Sequence, residues 1–364
     1  MPDYNDQIKQ IEDELGKMQY NKRTQHHYGL LRAKIARIRD EQVKRSTGGK
    51  KGEGYSVKKS GDATVVLVGF PSSGKSTLLN TLTDAESEVG AYEFTTLNVI
   101  PGLLEYKDSK IQILDVPGIV HGAASGRGRG KEVLAVLRTA DLALILVDVH
   151  KPEQLPALQK EIYDSGLRLD QRKPNVRIVK KPRGGVSIAT TVKLSHLDNR
   201  TIMDILKEFR IFNADVLIRE DITADQLIDV IESNKIYIPS IVVVNKIDLV
   251  TEDELEKVVA IVNPDLCISA DKKVNTDRLK DMVFDKLNFM RVYCKEVGKK
   301  ADMDVPMIMR RGQTIRDMCE KLHRDFVTNF KYSKVWGKSS KFPGQRFMLN
   351  HELLDGDVAE LHIG

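Results

Sequence analysis

The chain has 364 residues, enough for two or three domains with sizeable cores, and its 41% apolar and 30% charged composition reads as soluble and globular. No apolar run approaches the 18 or so residues of a membrane span, and the early acids Asp3, Asp6, Glu12, Asp13 and Glu14 without an apolar stretch argue against a secretory leader, so no membrane partner is expected. Three cysteines, Cys267, Cys294 and Cys319, form no C-x-x-C pair, which excludes a disulfide framework or zinc ribbon and predicts a cytoplasmic protein.

Residues 4–45 carry helical periodicity, with Ile8, Ile11, Leu15 and Met18 on one stripe and Leu31, Ile35 and Ile38 on another. Asn21–Thr24 between them reads as the turn of a helical hairpin, and 47–52 as a glycine-rich linker, so 1–60 is expected to be an N-terminal helical region with its linker. It is basic: residues 22–59 hold twelve Lys/Arg against three acids. Residues 171–185 hold six cations and no acid. Both stretches are candidates for polyanion contact, as ribosome or RNA, against the plainer reading of solvated surface.

From Ala63 the pattern changes. The apolar runs 64–68, 111–114, 142–147 and 241–244 read as buried parallel strands, with helical stretches between them. The fold class expected is α/β, a mostly parallel sheet with helices on both faces and ligands at its carboxyl edge.

Each run ends in a polar signature. Gly69, Phe70, Pro71, Ser72, Ser73, Gly74, Lys75 and Ser76 match the phosphate-loop pattern G-x-x-x-x-G-K-[ST], after a strand and before the helical Thr77–Asn80. The glycines let successive backbone N–H groups face phosphates, and the helix adds its positive end. Lys75 is expected to reach the β- and γ-phosphates and Ser76 to hold Mg²⁺. Asp115, Val116, Pro117 and Gly118 follow the 111–114 run; the acid can hold Mg²⁺ through water, and Gly118 lets an N–H approach the γ-phosphate. Between them, Phe94, Thr95 and Thr96 offer a threonine that would ligate the metal only while the γ-phosphate is present; spacing alone does not choose between Thr95 and Thr96.

Asn245, Lys246, Ile247 and Asp248 follow the fourth run. A lone carboxylate, Asp248, can accept both N1–H and the 2-amino group of guanine, while adenine would leave it desolvated and unpaired. Asn245 can address the O6/N7 side and tie this loop to the phosphate loop, and the stem of Lys246 can cover the base. A backbone N–H at Ser269-Ala270 is expected near O6. In this order the motifs point to GTP rather than ATP, with a P-loop ATPase or kinase as the competing class.

The set GFPSSGKS, YEFTT, DVPG, NKID and SA resembles the Obg branch of translation-factor-related GTPases, and the glycine-rich run 118–134 is similar to that of the developmentally regulated GTP-binding (DRG) proteins, over essentially the whole chain. The resemblance implies Thr96 as the switch I magnesium ligand. It implies a GTPase domain over 62–290, interrupted near 165–238 by a small α+β insert of the S5D2-like kind. The insert is foreshadowed by the 130 positions between Asp115 and Asn245, by alternation at 176–179 and 186–188, and by helical stretches at 201–209 and 224–231. It implies a C-terminal β-grasp TGS domain over 291–363, with Val305–Met309, a Thr314-x-x-Asp317 helix start and alternating Ala359, Leu361 and Ile363. Tyr332, Trp336 and Phe342 interleave there with Lys334, Lys338 and Lys341, as on single-strand RNA surfaces.

Catalysis would be in-line attack of water on the γ-phosphate, with Lys75, Thr96 and Gly118 supplying charge and position. The position where Ras-like enzymes place a water-orienting glutamine is Ile119, so slow turnover is expected, with help from another group, a cation or a partner. Relatives that use K⁺ hold it through a phosphate-loop asparagine; Ser72 stands there, and K⁺ stays open. His121, Arg127 and Arg129 are further candidates near switch II. The family also implies a dedicated regulatory protein partner. The competing reading is a nucleotide-gated scaffold with negligible hydrolysis.

Overall fold

The computed structural model describes residues 4–19, 21–46, 61–83, 100–115 and 139–364, and the chain divides into two compact units. In chain order, β1 (Ala63–Gly69), β2 (Ile100–Tyr106), β3 (Ser109–Asp115) and β4 (Leu142–Asp148) build one sheet; β5 (Leu167–Leu169), β6 (Val176–Lys180), β7 (Val186–Thr190), β8 (Ala214–Ile218) and β9 (Ile236–Ile238) belong to the other unit. The chain then returns with β10 (Ser240–Asn245) and β11 (Leu266–Cys267), and ends with β12 (Phe289–Lys295), β13 (Met307–Arg310), β14 (Phe330–Trp336), β15 (Gln345–Phe347) and β16 (Asp357–Ile363).

The first sheet has the order β11-β10-β4-β1-β3-β2 and is parallel except for β2. All seven residues of β1 and of β4 are buried. That is why both read as unbroken apolar runs: a central parallel strand has no solvent face. Alternate residues (Val65, Leu67, Leu142, Leu144, Ile241, Val243) share a core with Leu78, Leu79 and Leu82 of the Lys75–Leu82 helix and Leu279, Val283 and Phe284 of the Thr276–Lys286 helix. The four expected runs fall within β1, β3, β4 and β10. β2 was not foreseen. It contains Pro101 and Gly102, poor strand residues that an edge position tolerates because one backbone flank needs no donor.

The C-terminal sheet, order β13-β12-β16-β14-β15, mixes one parallel pair (β12·β16) with antiparallel ones. Its core gathers Met290, Val292, Met309, Val335, Leu353 and Ala359 with Ile315, Met318 and Cys319 of the Ile315–Leu322 helix. The Asp317 carboxylate accepts from the Thr314 N–H at 2.7 Å, as the sequence pattern requires. Tyr332 is stacked on His362, with ring centroids 4.3 Å apart, and the Arg346 guanidinium lies 4.6 Å from the Tyr332 ring.

In the other unit, the helices Tyr4–Lys17 and Gln25–Ser46 pack through Ile11, Leu31, Ile35 and Ile38. Asn21 Oδ1 accepts from the N–H groups of Arg23 and Thr24 and closes the turn between them. A three-stranded sheet, β6-β8-β7, packs Val176, Ile178, Val186, Ile188 and Val216 against Ile202, Ile205, Leu227 and Ile228 of the helices Asn199–Glu208 and Ala224–Glu232. β8, its central strand, was missed because five residues with one acid give too short an alternation to stand out.

Three of the twelve cations counted over residues 22–59 are engaged by acids of the same unit. Arg32 pairs with Asp225 at 2.6 Å, Arg37 with Glu208 at 2.9 Å, and Arg39 with Asp164 at 2.8 Å and Glu12 at 3.0 Å. These cations serve packing inside the unit. The 47–60 linker lies outside the described residues, as do the side chains of Lys44 and Arg45.

Candidate nucleotide-binding site

β1, β3, β4 and β10 run parallel, so Gly69, Asp115, Asp148 and Asn245 arrive together at the carboxyl edge of the sheet. After β1 the chain must turn sharply into a helix. Gly69 permits this because a Cβ there would meet Leu146 O and Ser73 Oγ at 2.7 Å. Gly74 sits at φ 92° directly before the helix, where an added Cβ would collide with Asn245 Nδ2. Ser72 takes the left-handed conformation without being glycine, at φ 66°. Phe70 and Pro71 lie within this loop and Thr77 follows it, with Pro71, Ser76 and Thr77 exposed.

Lys75 folds back into the curl. Its ammonium donates to Gly69 O at 2.9 Å and Phe70 O at 3.0 Å, the carbonyls at the loop's base. Burial lowers its pKa below the ordinary lysine value, with Asp115 opposing. A partly dehydrated cation at the mouth of a cradle of N–H groups is poised for an anion. Ser76 Oγ donates to Asp115 Oδ2 at 3.2 Å, while Asp115 Oδ1 is buried with no hydrogen-bond partner among the described residues. A carboxylate oxygen without a donor beside a hydroxyl is the hard oxygen set Mg²⁺ takes, so the residues fit that ion.

Asn245, 1% exposed, is the joint of the site. Its Nδ2 donates to Ser73 O at 3.0 Å and its Oδ1 accepts from the Ala270 N–H at 3.0 Å. One amide therefore ties the phosphate loop, the end of β10 and the Ser269-Ala270 segment together. The expected tie to the phosphate loop is present. The N–H groups expected near guanine O6 are committed inside the protein, that of Ser269 to Val274 O and that of Ala270 to Asn245. Ile247, at the start of a short 3₁₀ turn, donates its N–H to Ile268 O at 3.2 Å, which presses the two loops together. Asp248 in that turn is exposed.

One residue escaped the sequence reading. Asp148 ends β4 directly opposite Asn245, and its Oδ2 accepts from Lys246 Nζ at 2.7 Å. Burial alone would raise its pKa, but the Lys246 ammonium and the His150 N–H outweigh it and hold the carboxyl below its ordinary value. Lys246 adopts φ 69°, and its stem is held across the loop by this pair. The available signal was an acid closing a wholly buried apolar strand.

Three family models match: "50S ribosome-binding GTPase" over residues 64–181, "C-terminal region of MMR_HSR1 domain" over 183–289, and "TGS domain" over 290–363. An uncharacterized GTP-binding protein of Methanocaldococcus jannaschii is 56% identical over 98% of this chain and 92% of its own length. Developmentally-regulated G-protein 3 of Arabidopsis thaliana is 46% identical over 97% of both chains, and developmentally-regulated GTP-binding protein 2 of Homo sapiens is 43% identical over 98% of both. The chain belongs to the developmentally regulated GTP-binding protein family. It is a GTP-binding protein with a P-loop GTPase fold and a TGS domain at its C-terminus. Family members of this kind use Mg²⁺ with the bound nucleotide, in agreement with the Ser76–Asp115 oxygens. Phe94, Thr95, Thr96, Val116, Pro117 and Gly118, with Ile119, His121, Arg127 and Arg129, lie outside the described residues. Among the described residues no cluster of three or more His, Cys, Asp or Glu side chains could hold a metal, and no helix is long and apolar enough to cross a membrane.

Proposed function

We propose that the chain hydrolyses GTP to GDP and phosphate and works as a switch whose output is a ribosome or RNA contact in translation. The observation that carries this is the buried Asn245, which ties the phosphate loop to the Ser269-Ala270 segment at the sheet edge where the chain turns into Asp248. The N–H groups of Gly74, Lys75 and Ser76 at the helix start orient the phosphates, and Lys75 exchanges its carbonyl partners for β- and γ-oxygens where negative charge grows. Ser76 and Thr96, with Asp115 through water, would hold Mg²⁺, which neutralises phosphate charge when bound. Gly118 presents its N–H to the γ-phosphate, and Asp248 accepts the two donors of guanine. Ile119 cannot orient water by hydrogen bonding, so intrinsic turnover is slow and rises with a partner or K⁺. The description of the 64–181 match, a ribosome-binding GTPase, supports the ribosome as that partner.

Single-turnover hydrolysis with and without ribosomes, in Na⁺ and in K⁺ buffer, tests this. A ribosome-dependent acceleration is expected. A rate equal to the uncatalysed background under all four conditions would leave a nucleotide-gated scaffold instead.

A further inference from the structure

The two basic stretches of the sequence have different fates. On the helix Gln25–Ser46, the guanidinium groups of Arg32, Arg37 and Arg39 are taken up by acids of the same unit. The segment 172–193 instead holds seven cations and no acid. It forms the two outer strands β6 and β7 of the sheet and the loop that joins them past the end of β8, which turns at Gly184 and Gly185, both with positive φ.

Strand alternation sorts the residues of this sheet. Val176, Ile178, Val186, Ile188, Ala214, Val216 and Ile218 face the helices. Arg177, Val179, Ser187, Ala189, Asp215 and Leu217 take the other face, where all but Leu217 are exposed. Its only acid, Asp215, is neutralised by Lys181 at 2.6 Å. Arg172, Lys173, Lys193 and Arg219 are exposed beyond the strands at one end of the sheet, and Arg183 lies beyond them at the other, where Lys180 closes β6. Five residues of strand separate the two ends, roughly 15 Å at about 3.3 Å per residue.

We propose that this open sheet face, β6-β8-β7, binds double-helical RNA through its phosphates. Cations outnumber acids around this face, and the acids are engaged: Asp215 on the central strand with Lys181, Glu220 with the Asn175 N–H and Asp221 with Ser195. The edge strand β7 adds only small side chains, Ser187 and Ala189, so a polyanion can approach closely there. The face has no aromatic residue on which an unpaired base could stack; Phe212 lies in the loop leading into β8. Duplex RNA is recognised by shape and backbone across its wide minor groove, which asks for spaced cations on a smooth surface. The inference deepens the proposed RNA contact by assigning it to one face, and it does not depend on hydrolysis.

The test uses the full chain with a blunt RNA duplex and a single strand of equal length, titrated at several salt concentrations. Arg177→Gln/Arg183→Gln/Arg219→Gln should reduce the log–log salt slope of duplex binding by about 2–3, with GTP affinity unchanged. Lys22→Gln/Arg23→Gln/Lys34→Gln, on the N-terminal helices, should leave duplex binding within a factor of two or so of wild type by the same reasoning. The proposal is overturned if the first variant binds duplex with the wild-type slope, if the single strand is preferred, or if poly-glutamate displaces the duplex as well as unlabelled duplex does. Ribosome co-sedimentation separates the two ideas: retained ribosome binding by the first variant removes the face but keeps the ribosome reading, and its absence in wild type removes both.

Discussion

A single buried amide governs the site at the scale of residues. Asn245→Ala strands Ser73 O and the Ala270 N–H, each a buried polar group worth about 1–3 kcal/mol when unpaired. Thermal unfolding without nucleotide should fall accordingly, and the stabilisation added by GTP should shrink as well. If GTP still stabilised the variant as much as wild type, the two loops would not need this joint. Lys75 makes a pH prediction. Its pKa is lowered in the free protein, and phosphate charge beside it would raise it. The bound state then holds the extra proton, so GTP affinity is full below the lowered pKa and declines as pH rises through it. Lys75→Arg, which stays protonated, should flatten that decline in a titration. Asp148 has the opposite sign. Its depressed pKa adds stability above the ordinary carboxylate pKa that disappears as pH falls through the lower value, and Asp148→Asn should show a shallower acid dependence of stability.

Among the elements, the β5·β9 region depends on one ion pair. Arg168 donates to both oxygens of Asp229, at 2.6 and 2.7 Å, to Tyr163 O at 2.7 Å, and lies 3.6 Å over the Tyr163 ring, with both charged side chains about 5% exposed or less. Breaking such a pair leaves a buried charge, so Asp229→Ala should cost about 3–5 kcal/mol in urea unfolding. A loss within experimental error would mean that water reaches the arginine. Neither partner was visible in the sequence, because an isolated Arg in LRL and an Asp in a helix carry no pattern. By contrast β1 and β4 were legible as runs, since burial on both faces leaves no polar alternation, and the phosphate loop was legible because its geometry restricts Gly69 and Gly74. The pairing of Arg32 with Asp225 spans 193 positions; only the fold brings them together, which is why the N-terminal charge run looked free.

At the scale of the whole molecule, the motif order along the chain mirrors the way the chain returns to one sheet edge. The chain leaves the first sheet after β4, builds β5 to β9 in the other unit and comes back as β10, so Asn245 lies beside Asp148 despite the intervening segment. The gap between Asp115 and Asn245 contains β5 to β9 of the other unit, whose central strand β8 and ion pairs leave no pattern in the sequence. The central claim is the proposed one, that this sheet edge would grip a triphosphate and read guanine through Asp248. The direct measurement is equilibrium binding of GTP, ATP and xanthosine triphosphate to wild type and to Asp248→Asn, with Mg²⁺ present. Wild type should prefer GTP strongly over ATP, and the variant should lose GTP and gain xanthosine triphosphate, whose 2-oxo group accepts from the new amide. Equal affinity of wild type for ATP and GTP, or an unchanged preference in the variant, would contradict the account.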